Sequence, residues 1–208
     1  MKIASIYNPI ETELTDVEGY LLGISQADFP SLTDVLRHIL QNRGKQVRPA
    51  LTLLVGKALD GPSRLIVPMA ASVELLHTAT LVHDDTVDHA SVRRGQPTAG
   101  ALWSQSVAVL TGDYMFAQSA RIVTSLGNLR VVELFAQTLM DLCTGEIEET
   151  LSSYSNAVTR SQYFHRIGKK TGSLFKAATE SAALLCNASP SAVIALSQFG
   201  HDLGIAFQ

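Results

Sequence analysis

The sequence predicts an all-α fold, and three observations lead to that prediction. Apolar residues recur at intervals of three and four residues through nearly every segment between turn signals, which is the spacing of one helix face. Convincing period-two strand patterns bounded by Asn-Gly or Asp-Gly are missing. Glycines and prolines divide the chain into helix-length segments, and no repeat or shift in composition marks a second domain. We therefore expect residues 1–208 to form a single helical domain.

Turn signals separate most of the predicted helices from one another. In chain order the helices cover about 9–25; 30–42, followed by Gly44; 46–59, followed by Gly61-Pro62; 63–88, followed by Gly95-Gln96-Pro97; 97–126, followed by Gly127-Asn128; 128–152; 160–187, followed by Ser189-Pro190; and 190–208. The last apolar pattern runs to Gln208 without a glycine, a proline or a basic last turn. The domain is therefore expected to be truncated at its C-terminus.

Composition narrows the classes of function. A formal net charge of −3 and a pI near 6 give no basic surface for nucleic acid, which is not an expected partner. Cys143 and Cys186 lack metal-ligand spacing and are expected to be reduced core residues. The N-terminus has no signal-peptide pattern, and no apolar stretch approaches the roughly 18 to 20 residues of a membrane span. The expectation is a cytoplasmic protein without a transmembrane segment.

Three aspartates crowd the end of the fourth predicted helix, in the stretch HDDTVDHASVRR at 83–94. Asp84 and Asp88 lie one turn apart on one face, with Asp85 beside them. Each carboxylate there opposes the helix dipole by about 0.3–1 kcal/mol, an effect that a hard divalent cation such as Mg²⁺ would reverse. The cluster is therefore either a metal site or a solvated acidic helix end.

Basic residues accompany this cluster. Arg93 and Arg94 follow it and have the fork of donors that suits phosphate, although they could also merely neutralise the aspartates. Lys45 and Arg48 fall in the first turn of a helix, where the dipole disfavours cations unless an anion is bound. A third basic stretch, GKKTG at 168–172, is a weaker signal because lysine pairs are common on surfaces.

Taken together, these stretches resemble the trans (E-type) isoprenyl diphosphate synthases, the polyprenyl synthetase family. GKQVRP resembles the family's GKxxRP, and ELLHTATLVHDDTVDHASVRRGQPT resembles its first aspartate-rich region; LTGDYMFAQS, GEIEE, GKKTGSLF and LGIAFQ resemble later landmarks in the right order. DDxxD also occurs in terpene cyclases, whereas GKxxRP and RRG separate the two groups. The resemblance runs from about residue 20 to the end and implies an isoprenoid-synthase-type helical bundle around a central cavity, and a homodimer.

The resemblance also implies roles for particular residues. Mg²⁺ bridged to an allylic diphosphate would be held by Asp84, Asp85 and Asp88. Isopentenyl diphosphate would be bound by Lys45, Arg48, His77 and Arg94, with the Gly44 backbone. The allylic diphosphate would be contacted by Arg93, Lys170 and Gln208, with Thr171 close by.

The reaction implied is a five-carbon extension. Mg²⁺, Lys170 and the arginines would stabilise the charge that develops on the departing diphosphate, and isopentenyl diphosphate would attack the allylic cation. Loss of a proton to the released diphosphate would complete the extension. Positions about one turn before Asp84, here Ala79 and Thr80, are expected to line the product tunnel. Because both are small, the resemblance implies geranylgeranyl diphosphate or a longer product.

Two departures from the family pattern concern the end of the chain and GEIEE. Family members continue into a second aspartate-rich motif that completes the metal site, and this chain ends just before it, so the chain as given is expected to turn over poorly. Glu149 stands where glutamine is frequent in the family.

Three other interpretations compete with a prenyltransferase. A non-catalytic subunit of a prenyl synthase would account for the missing motif. A metal phosphohydrolase of the HD type would use the His-Asp pairs in VHDD at 82–85 and GHDLG at 200–204. Glu74 and His77 form one ExxH, half of a di-iron bundle motif, but no second ExxH follows.

Overall fold

The computed structural model describes residues 3–27, 29–41, 44–152 and 159–208, and these are almost entirely helical. The helices are α1 (Ile3–Tyr7), α2 (Glu11–Ile24), α3 (Pro30–Gln41), α4 (Val47–Ala58), α5 (Ser63–Val87), α6 (Ala99–Leu102), α7 (Gln105–Ser125), α8 (Leu129–Ser152), α9 (Arg160–Ile167), α10 (Ser173–Leu185) and α11 (Pro190–Phe207). A 3₁₀ turn (Asn8–Ile10) precedes α2, a π-helical turn (Gly168–Gly172) joins α9 to α10, and a two-stranded ribbon pairs β1 (Val92–Arg93) with β2 (Gln96–Pro97). The all-α prediction is confirmed.

Helix α5 is the centre of the bundle, with α2, α4, α7 and α10 packed around it. Its residues Ala70, Ala71 and Val73 are fully buried although they point in different directions. Among the described helices, α5 alone is long and apolar enough to cross a membrane, with a window of mean hydropathy 1.6. This contradicts the expectation that no apolar stretch approaches the length of a membrane span. However, 61% of the window is buried inside the protein, as in a core helix.

Helices α10 and α11 form the second main layer of the bundle. The Thr179 hydroxyl donates to the Leu196 carbonyl at 2.7 Å, and the Ser197 hydroxyl donates to Glu180 at 2.7 Å. These cross-links fix the register of α11 on α10. As a result, the last turn of α11 lies beside the π-helical turn.

The predicted helix 97–126 is wrong at its start. Residues 97 and 98 belong to the ribbon and its exit, and the rest is divided into α6 and α7 by a break at Trp103-Ser104. Thr98 and Ser104 each accept a hydrogen bond from a backbone amide three residues later, so each begins a new helix. The short ribbon was missed because its strands are only two residues long.

The predicted helix 160–187 is also interrupted. It begins at Arg160, where Thr159 and Gln162 form a capping box, but its middle is the π-helical turn and its regular part ends at Leu185. A π turn carries one more residue than an α turn and is found often at functional sites. It is therefore a local feature that apolar spacing does not predict.

Candidate active site

Two clefts lie on either side of the C-terminal half of α5. We call one the lysine cleft, because Lys170 lines it together with Asp84, Glu146, Thr171 and Gln208. We call the other the arginine cleft, because Arg93 and Arg94 line it together with Gly44, Glu74 and Asp85. His77 and Leu81 line both clefts, so these two side chains of α5 lie between them.

The three aspartates of DDTVD divide between these surroundings. Asp84 faces the lysine cleft, whereas Asp85 is only 8% exposed and accepts a hydrogen bond from Arg93 Nε at 2.7 Å in the arginine cleft. Asp88 is the C-cap residue of α5. Among the described residues, no three His, Cys, Asp or Glu side chains gather closely enough to hold a metal ion by themselves. That all three aspartates bind one Mg²⁺ therefore stays a prediction.

The Asp84 carboxyl is in an environment that disfavours its charge. Burial raises its pKa to about 6, and the negative charge of Glu146 acts in the same direction. Lys170 and Arg93 act in the opposite direction but do not cancel the effect. A cation bound beside such a carboxyl would stabilise its charged form.

Lys170 is held in place by helix α8. Its Nζ lies 2.7 Å from a Glu146 carboxylate oxygen and 2.5 Å from one of Glu149. Burial acts to lower the pKa of Lys170, but the hydrogen bonds that its ammonium donates to these two carboxylates outweigh that effect and raise the pKa above its usual value. Gly145 makes this possible, because a Cβ there would lie 2.8 Å from the Lys170 backbone nitrogen. Lys170 is therefore a cation at neutral pH, held by both carboxylates.

The π-helical turn places a second group in the lysine cleft. The Thr171 hydroxyl donates to the Gln208 side-chain carbonyl at 2.7 Å. Lys170, Thr171 and Gln208, which were predicted to meet one diphosphate, thus line one cleft. Arg93, predicted to join them, instead lies in the arginine cleft on Asp85.

The arginine cleft brings together Gly44 and Arg94, which are far apart in sequence. A Cβ at Gly44 would lie 2.7 Å from Arg94 Nη2, so the guanidinium rests directly on the glycine. Lys45 is exposed, and its carbonyl accepts a hydrogen bond from the Tyr7 hydroxyl at 2.9 Å. Lys45 is not among the residues that line either cleft.

Arg48, predicted to bind isopentenyl diphosphate together with Arg94, lines the lysine cleft and not the arginine cleft. It reaches this cleft from α4 and is held there by packing. Its guanidinium carbon lies 4.6 Å from the centre of the Phe175 ring, a cation–π contact. Its Nε is buried and, within the part of the chain that the structure describes, has no hydrogen-bond partner. Burial lowers its pKa to about 10, so it remains a cation at neutral pH.

His77 is neutral at the junction of the two clefts. Burial lowers its pKa to about 3, and the charges of Arg48, Arg94 and Arg93 act in the same direction. It can therefore donate and accept one hydrogen bond each without adding charge.

The positions predicted to line the product tunnel are in different environments. Thr80 lines the lysine cleft together with Phe116 and Leu142. Ala79 is fully buried in the main core, and it is not among the cleft-lining residues. Cys143, expected in the core, is an exposed thiol on the rim of this cleft.

Sequence reasoning missed several residues that shape the site. Glu146 belongs to the GEIEE stretch but was not singled out, although its spacing of three from Glu149 places both on one helix face. Glu74 was noticed only in an ExxH. Phe116 and Phe175 carry no local signal that distinguishes them from ordinary core residues.

The rival metal sites are not assembled. His83 packs edge-on against Phe116 and contacts the Val109 carbonyl at 3.0 Å, while His201 packs against Gly168 and Gly172. The two His-Asp pairs thus sit in separate packing environments, and the described residues contain no cluster of metal ligands.

Comparison with known proteins identifies the family. The polyprenyl synthetase family profile matches residues 29–208. Heptaprenyl diphosphate synthase component 2 of Geobacillus stearothermophilus is 36% identical over 208 residues, which are 100% of this chain and 65% of that protein.

Two solved structures have the same fold. A decaprenyl diphosphate synthase from Rhodobacter capsulatus superposes with a TM-score of 0.94 at 36% identity, over 99% of this chain and 63% of that one. A polyprenyl synthase from Caulobacter crescentus CB15, complexed with calcium and isoprenyl diphosphate, superposes with a TM-score of 0.96 at 28% identity. This match covers 100% of this chain and 63% of that one. The chain spans just under two thirds of the length of these proteins. It belongs to the polyprenyl synthetase family.

Proposed function

We propose that this chain carries the two substrate sites of a trans-prenyltransferase, which joins isopentenyl diphosphate to an allylic diphosphate. The observation that carries the proposal is the pair of clefts, one lined by Lys170 and Arg48 and the other by Arg93 and Arg94, that share His77 and Leu81 across α5. Two anions bound in clefts that share a wall have their carbon chains within reach of each other, as a condensation of two diphosphates requires.

The lysine cleft suits the allylic diphosphate. Lys170 and Arg48 supply two cations, and the walls beyond them are apolar, with Phe116, Leu142 and Leu174. A diphosphate would be held at the basic end and its prenyl chain along the apolar end. The arginine cleft, with Arg94 resting on Gly44, would then take isopentenyl diphosphate.

The residues of the lysine cleft fit a divalent cation. Asp84 is a partly buried carboxyl beside Glu146, and among the described residues neither Asp84 nor Asp88 has a hydrogen bond or ion pair through its carboxylate. Mg²⁺ needs only one or two protein carboxylates when substrate phosphates supply other ligands. Asp84 and Asp88 would hold it, and Asp85 could join only by leaving Arg93. Bound there, Mg²⁺ would stabilise negative charge on the leaving diphosphate.

The protein's own groups would assist the rest of the chemistry, in which the isopentenyl double bond attacks the allylic cation and the resulting cation loses a proton to the released diphosphate. Lys170 and Arg48 would face the charge that develops as the allylic carbon–oxygen bond breaks. Neutral His77 would donate a hydrogen bond at the junction without repelling the allylic cation. Phe116 and Leu142 would exclude water, which would otherwise quench that cation.

The product is proposed to be an E-polyprenyl diphosphate of geranylgeranyl length or longer. The small side chain of Thr80 leaves the lysine cleft open beside Phe116. The names of the similar proteins, a heptaprenyl and a decaprenyl diphosphate synthase, support a long product.

The assembly is proposed to be a cytoplasmic homodimer. The name "component 2" of the Geobacillus relative favours a second possibility, in which this chain works with a different subunit. A non-catalytic role in such a complex would not explain why Lys170 is held in the lysine cleft by both Glu146 and Glu149. We therefore favour a catalytic role.

Calorimetry with each diphosphate tests the proposal. In the presence of Mg²⁺ we expect the chain to bind isopentenyl diphosphate and farnesyl diphosphate with separate saturation, so that a saturating amount of one leaves the other's site open. Asp84→Ala should abolish the Mg²⁺ dependence of farnesyl diphosphate binding. Failure to bind either ligand, or full competition between the two, would overturn the proposal.

A further inference from the structure

The turn that leads into α4 is held by the N-terminal helices. The Tyr7 hydroxyl, at the end of α1, donates to the Lys45 carbonyl at 2.9 Å, although the two residues are 38 positions apart. The Gln46 side-chain amide donates to a carboxylate oxygen of Glu18 on α2 at 3.3 Å. Both hydrogen bonds reach the same short segment, residues 44–46, which we call the Gly44 turn.

The backbone of the Gly44 turn is unfavourable by itself. Gln46 has a φ of 50°, in the left-handed region that a residue with a side chain rarely adopts. Its carbonyl accepts a hydrogen bond from the Ala50 amide at 3.0 Å, which belongs to the start of α4 and does not hold the peptide before Gln46. That peptide is planar, so a hydrogen bond to the Lys45 carbonyl also fixes the direction of the Gln46 N–H. The Tyr7 hydroxyl therefore constrains the turn where α4 does not.

Tyr7 is itself anchored by the packing of the N-terminal segment. Ile10 and Val17 are fully buried in the main core, and the half-buried Tyr7 ring packs against that core. Burial raises the pKa of the Tyr7 hydroxyl, and the negative charge of Glu74 acts in the same direction. The hydroxyl is therefore protonated at neutral pH and can donate a hydrogen bond from a fixed position.

The Gly44 turn forms part of the arginine cleft. Gly44 and Gln46 line that cleft, and the Arg94 guanidinium rests on Gly44. The turn is thus contacted by the ribbon at one residue and by α1 at the next. Tyr7 is not among the residues that line the cleft, so it would act on a ligand there only through the turn.

We propose that Tyr7 is a positioning residue for the arginine cleft, whose hydroxyl holds the peptide between Lys45 and Gln46 and thereby keeps the Gly44 turn in the shape on which Arg94 rests when isopentenyl diphosphate binds. The inference rests on the proposed function, because it assumes that the arginine cleft binds this ligand. It extends the substrate site to α1, which precedes the part of the chain that the family profile matches.

Removal of one oxygen atom separates the hydroxyl from the ring. Tyr7→Phe keeps the packed ring and loses the hydrogen bond to Lys45. Isopentenyl diphosphate is titrated by calorimetry, at fixed Mg²⁺, into the whole chain and into this variant. We expect binding about three- to tenfold weaker, which corresponds to the loss of one neutral hydrogen bond. An affinity equal to that of the unsubstituted chain would overturn the inference.

A second ligand distinguishes positioning from a general loss of structure. Farnesyl diphosphate is proposed to bind in the lysine cleft, which the Gly44 turn does not line. Its affinity for Tyr7→Phe should therefore be unchanged. Equal weakening of both ligands would mean that the hydroxyl only supports the fold, and the inference would be wrong.

A double-mutant cycle tests whether Tyr7 acts through the contact between Gly44 and Arg94. In Gly44→Ala the new methyl group already displaces the Arg94 guanidinium. We expect Tyr7→Phe to cost less isopentenyl diphosphate affinity in that background than in the unsubstituted chain. An equal loss in the two backgrounds would show that the hydroxyl does not act through this contact and would overturn the inference.

Controls keep this test separate from the test of the proposed function. Tyr20→Phe is the matched variant, because Tyr20 lies on α2, is 38% exposed and lines neither cleft. It should leave both affinities unchanged, and a loss equal to that of Tyr7→Phe would contradict a specific role of Tyr7. If the unsubstituted chain fails to bind isopentenyl diphosphate at all, the proposed function and this inference fall together; binding that is indifferent to Tyr7 removes only the inference.

Discussion

The Arg94 guanidinium occupies the space in which a side chain at residue 44 would begin, 2.7 Å from the position of a Cβ on Gly44. A side chain at residue 44 would therefore have to displace this guanidinium. Two stretches that are 50 positions apart in the chain depend on each other through this contact.

Gly44→Ala should weaken isopentenyl diphosphate binding without lowering stability. The new methyl group displaces the flexible end of Arg94, which costs little free energy of unfolding but moves the cation out of the arginine cleft. We expect about a tenfold loss of affinity in calorimetry and little change of Tm. Gly19→Ala is the matched control, because nothing lies within 4 Å of a Cβ there. Equal affinities for the two variants would contradict the prediction.

Asp84 should make the protein less stable as the pH rises through the acid range. Its folded-state pKa, raised to about 6, lies above the ordinary value of 3.8, so the folded chain binds the proton more tightly than the unfolded chain. The stabilising contribution of the protonated Asp84 is fully present below about pH 3.8. It is lost between that pH and about pH 6, and above pH 6 the free energy of unfolding no longer changes because of this group. We expect Asp84→Asn to be more stable than the original chain by about 1 kcal/mol above pH 6, after allowance for solvent screening.

The measurement is urea unfolding in EDTA at several pH values between 4 and 8. The difference between the two proteins isolates Asp84 from the other titrating groups. The prediction would be contradicted if the stability advantage of Asp84→Asn over the original chain became larger as the pH is lowered.

Glu149→Gln should strengthen diphosphate binding in the lysine cleft. Lys170 is shared by Glu146 and Glu149, and loss of one negative charge leaves more of its positive charge for a ligand. We expect pyrophosphate to bind about three- to tenfold more tightly in calorimetry. Glu148→Gln is the control, because Glu148 pairs with Lys169 at 3.0 Å and does not line the cleft. Weaker binding by Glu149→Gln would mean that the second carboxylate is needed to place Lys170.

Thr80→Phe should shorten the product. The new ring would enter the lysine cleft opposite Phe116 and close the space for a growing prenyl chain. Chromatography should show shorter prenyl diphosphates, and farnesyl diphosphate should bind more weakly while pyrophosphate binds as before. Ala79→Phe provides the contrast: Ala79 is fully buried in the core, so overpacking should lower the free energy of unfolding by about 1–3 kcal/mol or more. An unchanged product from Thr80→Phe would exclude this residue from the wall of the tunnel.

The sequence predicts the helices well where apolar spacing and turn signals agree. The predicted 63–88 and 30–42 differ from α5 and α3 by one residue at most at each end. The ribbon could not be foreseen in the same way, because Arg94 adopts a positive φ that is uncommon for arginine.

The candidate site was predicted in its residues but not in its arrangement. Adjacent residues on a helix point about 100° apart, so Asp84 and Asp85 face different clefts although they are neighbours in the motif. Which of them meets Lys170 and which meets Arg93 depends on how α8 and the ribbon pack on α5. That is long-range information which spacing along one helix does not contain.

The position of the Lys170 charge depends on the number of residues in the π-helical turn at Gly168–Gly172. Deleting one residue there would convert it to an α turn and rotate everything on one side of it by about 100° relative to the other. Lys170 lies on Glu146 and Thr171 lies on Gln208, and each contact ties the turn to a different helix. Such a deletion could preserve one of these contacts but not both, so this short segment should tolerate substitutions far better than any change in its length.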